Sequence, residues 1–338
     1  ARRLHPHPRG AVSSGRRGFL RSVAIGSTAA LVGCDPASTT PPEHADAGAC
    51  PPPAPSPRAP LDLDYPAPSW FEQVASDLDA AGIGDPVVLV DLDRAEANVD
   101  AIVAGIRPLT YRVVVKSLPS LDLLELVSSR SGSASFMVLH LPLLPALLSR
   151  FPGADVLVGK CHLTSAVRAF FGAVPADERA SAAARVTFLA DDAAQLDALV
   201  ALAGELGVTL KLAIELDVGL GRSGVEAPDD LRPLLDRLLS TSAVRFAGFL
   251  GYDGHIAYAS GTREALDRAW ADATARYQSF VDVLNGGGYE SLAALPDLVF
   301  NGGGSATYPM YAGGGTPVND VAAGGGVLRP GAYPDHVL

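Results

Sequence analysis

The sequence predicts an α/β protein built on a closed (β/α)8 barrel. Three observations lead there. From Asp85 onward, short β-branched runs alternate with helical stretches. The runs are continuously apolar and do not alternate, as expected of strands buried on both faces of a parallel sheet. Eight of them fall between Tyr111 and Val327, with helices between most, which is the number a barrel needs. A doubly wound open sheet is the alternative, but no G-x-G-x-x-G follows the first apolar run, so a dinucleotide site has no support.

The elements follow in order. Residues 86–90 (PVVLV) read as a strand, a ninth outside the barrel. Residues 93–106 read as a helix with Ala97, Ile102, Val103 and Ile106 along one side. Barrel strands are expected at 111–115, 135–139, 155–158, 186–189, 209–216, 244–250 and 298–300, with 327–328 as the last. The clearest helices are 191–206 and 262–284, with Asp192 and Thr262 as N-caps.

Composition narrows the function. The chain has 338 residues, 48% of them hydrophobic and 19% charged, which is ample for a core. Its net charge of −11 argues against a nucleic-acid binder, which needs clustered Lys and Arg. Three cysteines without a CxxC exclude a disulfide framework and a zinc ribbon. Three of the 26 basic residues are lysines: Lys116, Lys160 and Lys211. Schiff-base chemistry would therefore have three candidates.

Charge is unevenly placed. Residues 1–60 carry +4 and residues 61–338 carry −15. The basic part contains Arg16-Arg17-Gly18-Phe19-Leu20, a mild apolar run over 22–33, and Leu31-Val32-Gly33-Cys34. This layout resembles a twin-arginine export signal ending in a lipoprotein box, which implies a chain exported to the periplasmic side and lipidated at Cys34. Such an anchor would be its one tie to a membrane. Residues 35–68 are rich in Pro, Ala, Ser and Thr and read as an extended tether.

Five places carry chemistry if functional residues sit at the C-terminal ends of barrel strands. Lys116 ends the apolar run 111–115; desolvation there would favour the neutral amine that imine formation needs. Arg222 lies in the glycine-rich stretch DVGLGRSGV, and an arginine can clamp a carboxylate or face a pyridine nitrogen. The run GYDGH supplies Tyr252, Asp253 and His255, an aromatic face with an acid and a base. Asn301 to Tyr308 (NGGGSATY) and Arg329 to Tyr333 (RPGAY) supply exposed N–H groups and hydroxyls after the last two strands, where barrels bind phosphate. A lysine after the first strand and a phosphate cradle after the last two point to pyridoxal phosphate.

At these residues the chain resembles the D-threonine aldolase and D-serine dehydratase family, whose N-terminal barrel is alanine-racemase-like, the fold type III of pyridoxal-phosphate enzymes. The resemblance runs over residues 85–333 through five motifs in order. It implies that Lys116 carries the cofactor as an imine, that Arg222 and Tyr252 line the ring, and that Gly303, Gly304, Ser305 and Thr307, with Gly331 and Ala332, bind the phosphate. His255 falls near a histidine of the family that helps in proton transfer. The implied substrate is a small D-amino acid, with aldol cleavage or dehydration of a 3-hydroxy one expected; an amino-acid racemase or a non-catalytic cofactor-binding protein are the alternatives. A homodimer is also implied. The barrel domain is expected over 69–333, with 334–338 opening a truncated or missing C-terminal β-domain. The family's divalent-metal ligands lie in that domain and are not visible in this chain. Val114, Val115, Ser117 and Leu118 flank the lysine where the family places histidines and a second lysine.

Overall fold

The computed structural model describes residues 69–258 and 262–328. The expected export signal with Cys34, the tether, Gly331, Ala332 and residues 334–338 lie outside them. Among the described residues no helix is long and apolar enough to cross a membrane.

Residues 69–89 belong to a unit separate from the barrel, which begins at Val90. They hold helix α1 (Ser69–Ala80), and residues 86–89, with Val90 of the barrel unit, form no strand. The ninth strand expected there is therefore not present. Its hydrophobic sequence is the strand signal, but Val87, Val88 and Leu89 are exposed and have no sheet partner among the described residues.

In the second unit, eight parallel strands close in sequence order. They are β1 (Thr110–Val114), β2 (Ser135–Val138), β3 (Asp155–Val158), β4 (Val186–Ala190), β5 (Leu210–Leu216), β6 (Val244–Gly251), β7 (Val299–Gly302) and β8 (Asp320–Ala323). The seam joins β1 to β8 from Thr110↔Asp320 to Val113↔Ala323. The eighth strand is thus not at 327–328, and those residues lie in the short helix α11 (Gly325–Leu328). The sequence reading missed Asp-Val-Ala-Ala because three small or short side chains give a weak apolar run. Closure of a tapered barrel favours small residues there all the same.

Around the sheet run α2 (Leu92–Ile106), α3 (Leu121–Ser131), α4 (Leu144–Arg150), α5 (Thr164–Ala173), α6 (Arg179–Arg185), α7 (Ala193–Leu206), α8 (Pro228–Leu239), α9 (Arg263–Leu284) and α10 (Glu290–Ala293). Both expected N-caps form: Asp192 accepts from the Gln195 N–H at 2.8 Å and Thr262 from that of Ala265 at 3.2 Å. Helix α2 buries Ala95, Val99, Ile102 and Ile106, while Ala97 is exposed. Ile102 and Ile106 of the expected face are thus buried and Val103 packs against the core, while Ala95 and Val99 continue the stripe in place of Ala97.

Strand alternation sorts the barrel interior into layers. The outward residues of each strand join the main core against the helices. Inward, Val114, Met137, Leu157, Leu189, Ala213, Leu250 and Ala322 form a separate apolar plug. Two residues earlier on β1, Arg112 lies below the plug and is 1% exposed. Its guanidinium donates to Asp320 at 2.7 and 2.9 Å and to Asp155 at 2.8 Å, and Lys211 donates to Asp155 at 2.9 Å. Two residues after Val114, just beyond the end of β1, comes Lys116, on the mouth side of the plug. The barrel therefore has a charged, closed N-terminal end, a dry middle, and a C-terminal mouth that carries the site.

Candidate active site

Directly after β1 the chain makes a 3-10 turn over Val115–Ser117. Val115 stays in the outer core, so the turn delivers Lys116 to a cavity of about 180 Å³ at the mouth. Val114, Met137, Leu250 and Ala322 of the plug form its apolar floor. Arg222, Tyr252, Gly303, Gly304, Ser305 and Thr307 also line it. Six of the residues expected from sequence thus meet Lys116 in one place. Lys116 is exposed at the mouth, so the burial expected around it is not there. Of the other lysines, Lys211 sits in the ion-pair layer at the opposite end, and Lys160 is exposed and outside the lining.

The loop after β7 is shaped for an anion. Gly303 has φ +84°, and a Cβ there would meet Val321 Cγ1 at 2.8 Å, so glycine is required. Among the described residues, no hydrogen bond engages the backbone N–H groups of Gly304, Ser305 or Ala306, all in the lining. Such a run of free N–H groups is a ready anion nest. Ser305 Oγ accepts from the N–H of Gly325 at 2.7 Å and of Gly324 at 3.3 Å, which ties the loop after β7 to the loop after β8. Its own hydrogen is left to donate. Gly331 and Ala332, expected to complete the phosphate cradle, lie outside the described residues. The described part of the segment after β8 is the glycine run Gly324-Gly325-Gly326, which the sequence reading did not single out. A Cβ at Gly324 would lie 2.6 Å from the Val114 carbonyl oxygen.

Thr307 supports this loop from within the lining. Its Oγ1 donates to Asp253 at 2.8 Å and its N–H to the Gly304 carbonyl at 3.1 Å. Asp253 also accepts from the Tyr311 hydroxyl at 2.7 Å. This fully buried carboxylate therefore links the segment after β6 to the segment after β7, and it is not a solvent-facing acid. Burial pushes its pKa up to about 6. The folded chain then holds the proton more tightly than the unfolded one does. Stability from this group is full below about pH 4 and falls as pH rises to about 6. The loss is roughly 3 kcal/mol over about two pH units. Urea unfolding of wild type and Asp253→Asn at pH 4, 5, 6 and 7 should show that slope in wild type and its removal in the variant. Equal slopes would contradict the assignment.

Arg222 stands at the tip of a braced loop after β5. Asp217 Oδ1 accepts from the N–H groups of Gly219 at 2.9 Å and Gly221 at 3.0 Å. At the far end the N–H of Gly224 donates to Asp191 at 3.2 Å. The guanidinium carbon lies 5.0 Å from the Tyr252 ring centroid, a cation–π distance. Arg222 Nη2 is 3.6 Å from Oε1 of the buried Glu215.

His255 does not join the lining. Its ring lies beside Gly219, where a Cβ would meet Nε2 at 3.0 Å. Burial holds its pKa below the usual imidazole value, and its Nδ1 is buried without a partner among the described residues. The structure thus places it behind the Arg222 loop, one shell away from the cavity.

A cluster the sequence reading missed lies at the ends of β3, β4 and β5. Cys161, Asp191 and Glu215 bring their donor atoms within 4.8 Å of one another. They are far apart in sequence, so no spacing motif announces them. The cluster shares protons: Cys161 Sγ donates to Glu215 Oε2 at 3.6 Å, and burial and the two carboxylates push the thiol pKa up.

The donor set at the mouth does fit pyridoxal phosphate: one amine, one guanidinium, an aromatic face and free N–H groups for a phosphate. The family description "Alanine racemase, N-terminal domain" matches residues 90–308. The curated 3-hydroxy-D-aspartate aldolase of Paracoccus denitrificans (strain Pd 1222) is 26% identical over 233 residues, 68% of this chain and 57% of that protein. The crystal structure of D-threonine aldolase from Filomicrobium marinum matches with TM-score 0.58 at 18% identity, over 71% of this chain and 61% of that one. D-threo-3-hydroxyaspartate dehydratase from Delftia sp. HT23 matches with TM-score 0.57 at 23% identity, over 70% and 59%. The two structural likenesses show the fold. The chain spans 57% to 61% of the length of these three proteins.

Proposed function

Because this chain belongs to the alanine racemase N-terminal domain family, we propose that it is a pyridoxal-phosphate enzyme acting on a 3-hydroxy D-amino acid by aldol cleavage or dehydration. The observation that carries the proposal is the meeting of Lys116, Arg222, Tyr252 and the 303–307 loop around one cavity. When bound, the cofactor supplies an electron sink for the bond broken at the substrate α-carbon. The chain's own residues do the rest. Lys116 would hold the cofactor's aldehyde carbon, and its amine is placed to hold or move a proton in the cavity. Gly304, Ser305 and Ala306 offer N–H groups to the phosphate. Arg222 and Tyr252, which follow β5 and β6, would hold the ring. The apolar floor of Val114, Met137 and Leu250 keeps water from below.

Incubation with D-threonine and with D-3-hydroxyaspartate, in the presence of pyridoxal phosphate and with or without Mn²⁺, tests the reading. Glycine plus an aldehyde marks cleavage of the Cα–Cβ bond. A 2-oxo acid plus ammonia marks dehydration. Deuterium at Cα with loss of enantiomeric purity and neither product would replace the proposal with a racemase. Cofactor bound without any turnover would replace it with a binding protein.

We further propose export through residues 1–34 with acylation of Cys34, and a homodimer as the working state. Loss of palmitate labelling in Cys34→Ser, and sedimentation at twice the chain mass, are the expected results.

A further inference from the structure

We propose that Glu215 is a positioning residue that aims Arg222 into the cavity and balances its charge; this rests on the pyridoxal-phosphate reading. Glu215 is an inward residue of β5, two positions beyond the plug residue Ala213, and it is 2% exposed. Taking a carboxylate out of water costs several kcal/mol unless it is well paired. Its pairing is modest. Oε1 accepts from the Ser223 hydroxyl at 2.8 Å and faces Arg222 Nη2 at 3.6 Å, beyond hydrogen-bond range. Oε2 receives the Cys161 thiol at 3.6 Å. The guanidinium itself is 48% exposed, so the pair adds little to stability. An apolar residue at this position would serve the fold as well.

The arrangement makes sense as a means of aiming. Ser223 is the residue after Arg222, so its bond to Glu215 fixes the backbone from which the arginine projects. The same oxygen attracts the guanidinium from behind, while Tyr252 holds its face. Arg222 is thereby held between an anion and an aromatic ring over the cavity. Charge follows from the same geometry. Arg222 and Lys116 are the charged side chains of the described lining. With the Glu215 side chain behind it, Arg222 presents hydrogen-bond donors to a ligand while facing a carboxylate at 3.6 Å. Lys116 then remains the uncompensated cation.

The test uses the full chain loaded with pyridoxal phosphate and reads the pH titration of its visible absorbance band. Removing a buried negative charge disfavours the protonated lysine–cofactor linkage. Glu215→Gln should lower the titration midpoint by about one pH unit, the scale of a unit charge acting at an effective dielectric of about 20. Ser223→Ala should leave the midpoint within about 0.2 units, which separates the charge from the loop's shape. In an Arg222→Met background the Glu215→Gln shift should persist, because the field of the carboxylate acts directly on the linkage. The aiming of Arg222 is read separately: Glu215→Gln should weaken pyridoxal-phosphate retention in wild type and not weaken it further in the Arg222→Met background. An unchanged midpoint in Glu215→Gln overturns the inference, as does a further loss of retention without Arg222. Absence of any band in wild type would instead overturn the cofactor reading itself. Near-ultraviolet circular dichroism of each variant confirms that it folds.

Discussion

Lys116→Ala is expected to abolish the visible band that forms with pyridoxal phosphate and to lower turnover of a 3-hydroxy D-amino acid by at least about a thousandfold. The expectation rests on placement. Lys116 follows the plug residue Val114 by two positions, and the 3-10 turn over Val115–Ser117 presents it to the cavity. The apolar floor gives no substitute amine. Lys211 is held by Asp155 at 2.9 Å on the other side of the plug, and Lys160 is outside the lining. Lys160→Ala should therefore keep the band and most of the turnover. Folding should be nearly untouched in Lys116→Ala, since an exposed side chain leaves no cavity behind. A variant that keeps the band would remove Lys116 from its role.

Arg112→Met is expected to cost 3–5 kcal/mol of folding free energy, in approximate terms, with the cavity residues unchanged in identity. Arg112 is fully buried, and its two ion-pair partners start strands β3 and β8. Removing the guanidinium leaves Asp320, 3% exposed, as a charge without its main partner, while Asp155 keeps Lys211. Burial of that lone carboxylate should dominate the loss. The double variant Arg112→Met with Asp320→Asn should then recover part of it, because the uncompensated charge is gone. Urea unfolding of the three proteins reads the difference. A single variant within about 1 kcal/mol of wild type would mean that the network is not what closes the barrel end.

The barrel was legible because its strands carry apolar β-branched runs, and β1 to β7 lie within a few residues of their expected positions. Where the signal failed, the cause was local. Residues 86–90 have the composition of a strand, but among the described residues no backbone pairs with them, and composition alone does not report pairing. Strand β8 has the pairing without the composition, since Asp320-Val321-Ala322-Ala323 is selected for size and for a salt bridge across the barrel. The site was legible where it follows strand ends: Lys116, Arg222, Tyr252, Gly303, Gly304 and Ser305 were all reached from sequence. What lay beyond reach depends on contacts between distant segments. Asp253 belongs to the GYDGH motif, but only the fold shows that it binds Thr307 and Tyr311 and not a ligand. His255 sits in the same motif and is turned to Gly219 by the 3-10 turn over Gly254–Tyr258. The Cys161–Asp191–Glu215 cluster draws on three strand ends, and no spacing in the chain encodes it.

The most direct measurement is borohydride reduction of the chain saturated with pyridoxal phosphate, followed by peptide mapping. With three lysines in the sequence, the answer is one of few. The cavity geometry predicts a phosphopyridoxyl group on Lys116 at close to one per chain. A label on Lys160 or Lys211, or no stable label at all, would contradict it.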